Sequence, residues 1–529
     1  MKAWRLVICL ASVAAAGLPT RSGAESAGVA GTGASGYVFA GTTPFRDRRS
    51  ADQKPAQGGA LTAIEAVGSP TEFVPRTFCI FAGKDIQKVE MDSFSMTGPG
   101  KFDAANVDVS VLRWLTLGRK GTPSPELLVK DDREVLKGVF PAGPEYPSVR
   151  ATGPVKTEIK AGQSKEFWVT FHIPEGAVPG TYRGSLTVTL DGEKRSIPCA
   201  LEVLPIKLQK PDDMLWGIWF QIGWTDWQMI EKYLKMTAEC GFNIISAPAW
   251  DDPAYGKVAG LMKKYGMNAK VLFSGCPWVY ADGGNPEAFT YKGMSLTEYT
   301  RRGVEFAKTN GYPRPLMGME DENGDAPLQK RRQALIKPGG SDNWMCVNNG
   351  WEELHKVLGY PMGNGGPWTR KASREAHRYG AGAGGYIQSW DSWSANGCQL
   401  KGLAGYGAWN LSADCYLHYT MLTFFGDPYD GTDGQYEDWS TIGCSKEGPV
   451  MTLRYAGHRA GVDDFRYVYT LVNLLEAKEK TFAADADRMN RLAMIRADLD
   501  DVLLRNAYGG GAEKDRRFVA NLILKVQGI

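Results

Sequence analysis

The sequence predicts an N-terminal antiparallel β-sandwich, then a (β/α)8 TIM-like barrel with C-terminal helices. Three observations carry this expectation. At 529 residues the chain exceeds what one hydrophobic core serves. From about 71 to 205, short runs of period-two alternation are separated by Gly/Pro turns. From about 212 to 450, apolar strands alternate with amphipathic helices, the order that builds a parallel sheet with helices outside.

Residues 1–24 read as a signal peptide. Lys2 and Arg5 supply the positive region, and the apolar run from Leu6 to Leu18 is too short to span a bilayer. Ser22-Gly23-Ala24 offers a cleavage site. The expectation is a secreted or periplasmic protein without a membrane span. Residues 25–70, rich in Gly, Ala and Ser, read as a flexible lead-in with room for an early strand.

The sandwich pattern is clearest in Phe167 to Ile173, in Ser185 to Leu190 and in Ser196 to Leu204, with Asp191-Gly192 as a hairpin turn. Pro205 and Pro211 bracket a linker. The barrel pattern opens with a strand from Leu215 to Ile222 and a helix from Trp227 to Cys240. It continues with strands at Phe242–Ala247, Ala269–Phe273, Pro315–Glu320 and Trp344–Val347. Gly385–Trp390 and Gly405–Trp409 are further strand candidates. An open doubly wound sheet is the alternative, but no GxGxxG or P-loop follows the first strand. The segment 451–529 reads as helical, with later amphipathic stretches at about 485–506 and 513–526.

Composition narrows the function. A net charge of +2 with both signs interspersed leaves no footprint for nucleic acid. Five scattered His form no HExxH pattern, and nine Cys form no CxxC, so no His-built metal site and no other cofactor is expected, while an all-oxygen calcium site stays open. The later Cys either pair or stay as buried thiols; spacing does not decide. Sixteen Trp and 22 Tyr, many beside Gly, Asn and Asp, suit a carbohydrate substrate, although most aromatics fill cores.

The chemistry centres on Pro315 to Asn323. An apolar strand there ends in Glu320, Asp321 and Glu322. Strand C-termini form the active rim of a barrel, and glycosidic cleavage needs a protonated carboxyl beside a second acid. Crowded like charges raise one pKa and keep that acid protonated. In an ideal strand Glu320 and Glu322 face one side and Asp321 the other. Around them the sequence places Trp219, Asn348, Asn349, Trp390, Asp391, Trp409 and Asn410 as a cup for a sugar, while Asn364 between glycines reads as a turn residue. Arg454, Arg459, Asp463, Asp464 and Arg466 read as an ion network, not as catalysts.

Three segments carry a resemblance. They are Trp168 to Gly184, the strand ending in Asp321-Glu322, and Thr452 to Tyr467. The chain resembles glycoside hydrolase family 123 and related bacterial domains of the same layout. The resemblance implies a β-N-acetylgalactosaminide-like glycosidase acting at glycan ends, in which the substrate's own acetamido oxygen attacks the anomeric carbon. Glu322 would then be the acid/base and Asp321 would orient the acetamido group. Asn323 departs from the family's usual Pro, and Glu320 adds a third acid. A non-catalytic glycan-binding protein and a cell-surface structural protein are the competing readings.

Overall fold

In the computed structural model, residues 37–45, 61–117, 122–133, 149–220, 226–275, 285–318, 322–347, 351–364, 369–388, 397–422, 429, 440–506 and 513–529 are described. The signal-peptide segment lies outside them.

Twelve strands build the N-terminal part: β1 (Tyr37–Thr42), β2 (Ile64–Gly68), β3 (Phe73–Ala82), β4 (Ile86–Met91), β5 (Met96–Thr97), β6 (Lys101–Phe102), β7 (Val107–Leu117), β8 (Thr122–Val129), β9 (Val155–Ile159), β10 (Ser164–His172), β11 (Gly180–Leu190) and β12 (Glu193–Val203). One sheet has the order β1-β3-β10-β7-β8, the other β2-β12-β11-β4-β9 with β5 and β6 attached. Both line one core, in which Phe78 and Phe167 of the first sheet meet Val89, Leu186 and Leu201 of the second. Two details differ from the sequence reading. The pairing is not wholly antiparallel, because β2 runs parallel to β12. The stretch read as a lead-in also contributes β1 and β2, one to each sheet.

Eight strands form the parallel sheet: β13 (Leu215–Ile218), β14 (Ile244–Ala247), β15 (Val271–Gly275), β16 (Arg314–Gly318), β17 (Trp344–Val347), β18 (Tyr360–Asn364), β19 (Gly384–Gln388) and β20 (Cys415–Tyr419). Their order is β16-β15-β14-β13-β20-β19-β18-β17, which is sequence order around a ring. A single parallel bridge, Met317 to Asn343, joins the two ends and nearly closes the barrel. The segment expected as a strand at 405–409 is helical instead, and β18 and β20 supply strands that the sequence reading did not place.

The helices follow local rules. Helix α1 (Trp227–Glu239) starts at Asp226, whose side chain accepts the Met229 N–H. Helix α2 (Pro253–Lys264) has Asp252 as cap and Pro in its first turn. Helix α3 (Leu296–Asn310) runs from Ser295 to a left-handed Gly311. Asp325 caps α4 (Ala326–Ile336), and the short α5 (Trp351–Leu354) follows β17. Thr369 caps α6 (Arg370–Arg378). Helices α7 (Gly397–Gly402) and α8 (Ala408–Asn410) are joined by a π turn.

After β20, a hairpin of β21 (Gly443–Ser445) and β22 (Gly448–Val450) leads to α9 (Leu453–Thr481), α10 (Ala486–Arg505) and α11 (Glu513–Gln527). The 29-residue α9 takes the place of the barrel's last outer helix. Its His458 stacks on Phe242 at 3.7 Å, and its Phe465 meets Trp216 edge-on. Its start also bridges to the β-domain through Thr452 and Leu127. The linker is packed rather than loose, since Leu204, Ile206 and Leu208 join the core of α9, α10 and α11. Among the described residues, no helix is long and apolar enough to cross a membrane.

Candidate active site at the barrel mouth

Register decides which side chains enter the barrel. Side chains alternate along a strand, so Gly217 and Trp219 face the same way. A Cβ at Gly217 would meet Phe273, two strands away, at 3.3 Å, while the adjacent Trp216 packs outward on Phe465 of α9, which places the Gly217 side on the axis. By the same test Gly318 faces Trp344: its Cβ would lie 2.9 Å from the indole nitrogen. Phe273, Trp344, Leu417 and Tyr419 therefore share the interior with Trp219.

These rings make an aromatic floor beneath the strand C-termini. Trp219 lies 5.4 Å from Trp344 and 6.2 Å, edge-on, from Tyr419. Tyr386 meets Tyr419 at 6.0 Å, and Phe273 meets Trp344 at 4.8 Å. Trp344 is 4% exposed, whereas Trp219 is only half-buried. The Trp344 N–H reaches the Ser274 carbonyl at 3.4 Å. Among the described residues the buried Trp219 N–H has no acceptor, and the same holds for the Trp250 N–H.

Glu322 stands at the rim above this floor. It lies past the end of β16, has φ +57°, and donates its backbone N–H to the Cys346 carbonyl of β17 at 3.1 Å. With its backbone left-handed, Glu322 lies outside the pleat, and strand alternation does not set its direction. The chain then turns into α4: Asn323 accepts the Asp325 N–H at 2.8 Å, and Asp325 accepts the Leu328 N–H. The Asn in place of the family's Pro thus has a local role as a turn former.

Nearby, Asp251 of the β14–α2 loop shows what an occupied carboxylate looks like. Burial alone would raise its pKa, but hydrogen bonds from Lys292, Tyr299 and Tyr291 hold it below the usual range. The Tyr299 hydroxyl donates at 2.9 Å and Lys292 at 2.6 Å. It is a strut for the 289–294 turn, unsuited to giving a proton.

The other expected residues divide. Glu320, Asp321, Asn348, Asn349, Trp390 and Asp391 lie outside the described residues, as does the side chain of Asn364. Trp409 and Asn410 are described, and the structure does not bring them to the rim. They lie on α8, before the N-terminal end of β20, at the barrel's other end. Trp409 packs edge-on against Phe465 at 5.2 Å, and the Asn410 amide donates to the Leu503 carbonyl at 2.8 Å. The sequence reading missed Trp344, Tyr386 and Tyr419. Alternation within 344–347 would have paired Trp344 with Cys346 on one face; which face needs the neighbouring strands.

The α9 charges do form an ion network. Arg466 binds Asp463 at 2.9 Å, Lys401 and Arg516 both bind Asp464 at 2.6 Å, and Arg454 binds Glu126 at 3.0 Å. His418 and His458 are buried between β20 and α9, where burial pushes both down to about 3 and keeps them neutral. Cys199 and Cys240 are buried thiols, raised by burial to about 11 and about 12. Among the described residues, no group of three or more His, Cys, Asp or Glu could hold a metal ion.

No family model matches the chain, and no curated protein is similar to it in sequence. Solved structures do match it in shape. β-Glucuronidase 3 of Bacteroides uniformis aligns over 72% of this chain and 51% of its own at 9% identity, with a TM-score of 0.26. The homocysteine methyltransferase MmuM of Escherichia coli aligns over 39% and 92% at 11% identity, with a TM-score of 0.25. Both are too loose to bear on the fold. A family 123 glycoside hydrolase from Clostridium perfringens, from a study of glycolipid glycan hydrolysis, is similar at 12% identity with a TM-score of 0.61. That likeness spans 93% of this chain and 97% of the other, so this chain has the fold of a family 123 glycoside hydrolase over that span.

Proposed function

We propose that the protein is an exported glycoside hydrolase that cleaves terminal sugars at the barrel mouth, with Glu322 as general acid/base and Asp321 as its partner. One observation carries the reading. In a chain with the family 123 fold, Glu322 is tied to the rim at the Cys346 carbonyl, above Trp219 and Trp344. A sugar ring lying on the indole faces would bring its glycosidic oxygen up to the rim acids.

The favoured substrate is a β-linked N-acetylgalactosaminide at a glycan end, such as a glycolipid glycan. Glu322 gives its proton to the leaving oxygen while the substrate's acetamido carbonyl oxygen attacks the anomeric carbon. Asp321 holds the acetamido N–H and offsets the charge that develops there. Water, deprotonated by Glu322, then opens the cyclic intermediate.

The test uses an aryl N-acetyl-β-galactosaminide and a panel of other aryl glycosides. Glu322→Gln keeps the side chain's shape and removes its proton. It is expected to lower kcat by about 10²- to 10⁴-fold with an unchanged melting temperature. Unaltered turnover in that variant ends the assignment. Glycan binding without hydrolysis across the whole panel would favour a lectin-like protein instead.

A further inference from the structure

The densest cluster of buried charge lies away from the barrel mouth, where the β-domain meets the C-terminal helices. We infer that Glu72 and Asp463 form a proton-controlled joint there, which holds the β-domain to α9 and α11 most tightly when a proton is bound and loosens when both carboxyls are charged.

The geometry is specific. Glu72 follows a left-handed Thr71 between β2 and β3 and is 0% exposed. One of its oxygens, Oε2, accepts the Ser69 N–H and the Tyr467 hydroxyl, the latter at 2.6 Å. The other, Oε1, lies 3.2 Å from Arg516 of α11. Arg516 is already committed: its Nε donates to Asp464 at 2.6 Å, and another N–H goes to the Ala460 carbonyl. Lys401 of α7 takes the second oxygen of Asp464 at 2.6 Å. Asp463 has Arg466 at 2.9 Å, and Arg466 also reaches Thr71 and the Leu208 carbonyl. On β3, Arg76 is held by Glu513 of α11, and Arg459 of α9 covers Phe73, on whose ring His172 stacks.

Those are the charged groups that face the pair from each packed element. They do not fully compensate it. Burial pushes Glu72 up to about 7; Arg516 opposes that rise and Asp463 adds to it. Burial raises Asp463 as well, against Arg466 and Arg516. A cavity of about 230 Å³ lined by Arg76, Lys401 and Arg516 brings solvent to the edge of the cluster, so protons have a way in.

The sign follows from linkage. An acid whose pKa is higher in the closed joint than in the open chain binds its proton more tightly when closed. Closure is therefore strongest below the ordinary value of 4.5, weakens as pH rises towards about 7, and is level above that.

The test is hydrogen exchange of the full-length protein from pH 5 to 8, read at the Ser69 amide and normalised for intrinsic exchange. Its protection is expected to fall roughly ten- to hundred-fold across that range. Glu72→Gln, which cannot ionise, should leave only the shallower slope of Asp463. A flat profile in the natural protein, or an unchanged slope in Glu72→Gln, overturns the proposal. Should Glu72→Gln not fold, Tyr467→Phe decides. Losing a donor to the charged carboxylate should move the midpoint to higher pH, and an unmoved midpoint overturns the proposal.

Discussion

The barrel's two ends use polar and aromatic side chains in opposite ways. At the mouth, Trp219 leaves a buried N–H without an acceptor among the described residues, beside Trp344 and Tyr419. At the base, Lys401, Asp464 and Arg516 satisfy one another at 2.6 Å, and Trp409 fills a gap against Phe465. Both ends hold residues that invite a functional reading. What separates them is the kind of contact: buried ion pairs tie the base together, whereas ring-on-ring packing makes the floor of the mouth.

The sharpest way to break this comparison is to disable the base and ask whether the mouth notices. Asp464→Asn leaves Lys401 and Arg516 buried beside an uncharged amide. Removing one partner from a buried ion pair costs about 3–5 kcal/mol, so chemical denaturation should show a loss of that size. Hydrolysis per folded molecule should be unchanged. A variant that keeps its stability but loses turnover would place the network in the catalytic apparatus.

The mouth offers the converse. Trp219→Ala removes a ring of the floor on which we propose the sugar lies, while leaving Glu322 in place. The Michaelis constant should rise about tenfold, equivalent to about 1.4 kcal/mol, with kcat little changed. Equal KM values would remove Trp219 from the subsite and leave the floor purely structural.

Much of this architecture was legible in the sequence, for a physical reason. Strands such as Phe167–Ile173 and helices such as Trp227–Glu239 carry periodicity that local propensity and burial both favour. The failures cluster where tertiary contact overrides propensity. The run Gly397–Asn410 holds four glycines, and its part Gly405–Trp409 reads as a strand, yet the whole run is helical. Its glycines answer α9: a Cβ at Gly397 would lie 2.3 Å from the Leu453 carbonyl, and one at Gly405 would lie 2.8 Å from that of Gly461. The close helix crossing selects residues with poor helix propensity. Strand β18 was hidden in the same way, its Pro361 and Gly363 disguising a buried strand. The place of Glu322 just past β16 was legible because a residue that follows an apolar barrel strand falls at the strand's C-terminal end. Trp344 and Tyr419 were not, because facing inward is a property of register between strands.

The smallest expected effect is the most discriminating, because it concerns a residue that the sequence assigned to the sugar. Asn410 donates one hydrogen bond to the Leu503 carbonyl near the end of α10, at the base. Asn410→Ala removes that donor and leaves the carbonyl to find water, a loss of about 1 kcal/mol. The denaturation midpoint should shift slightly, and KM should equal that of the natural protein, in contrast to Trp219→Ala. If Asn410→Ala instead raised KM while stability held, the substrate would have to reach the base of the barrel. The division between an ion-paired base and a ligand-binding mouth would then be the wrong way to read this fold.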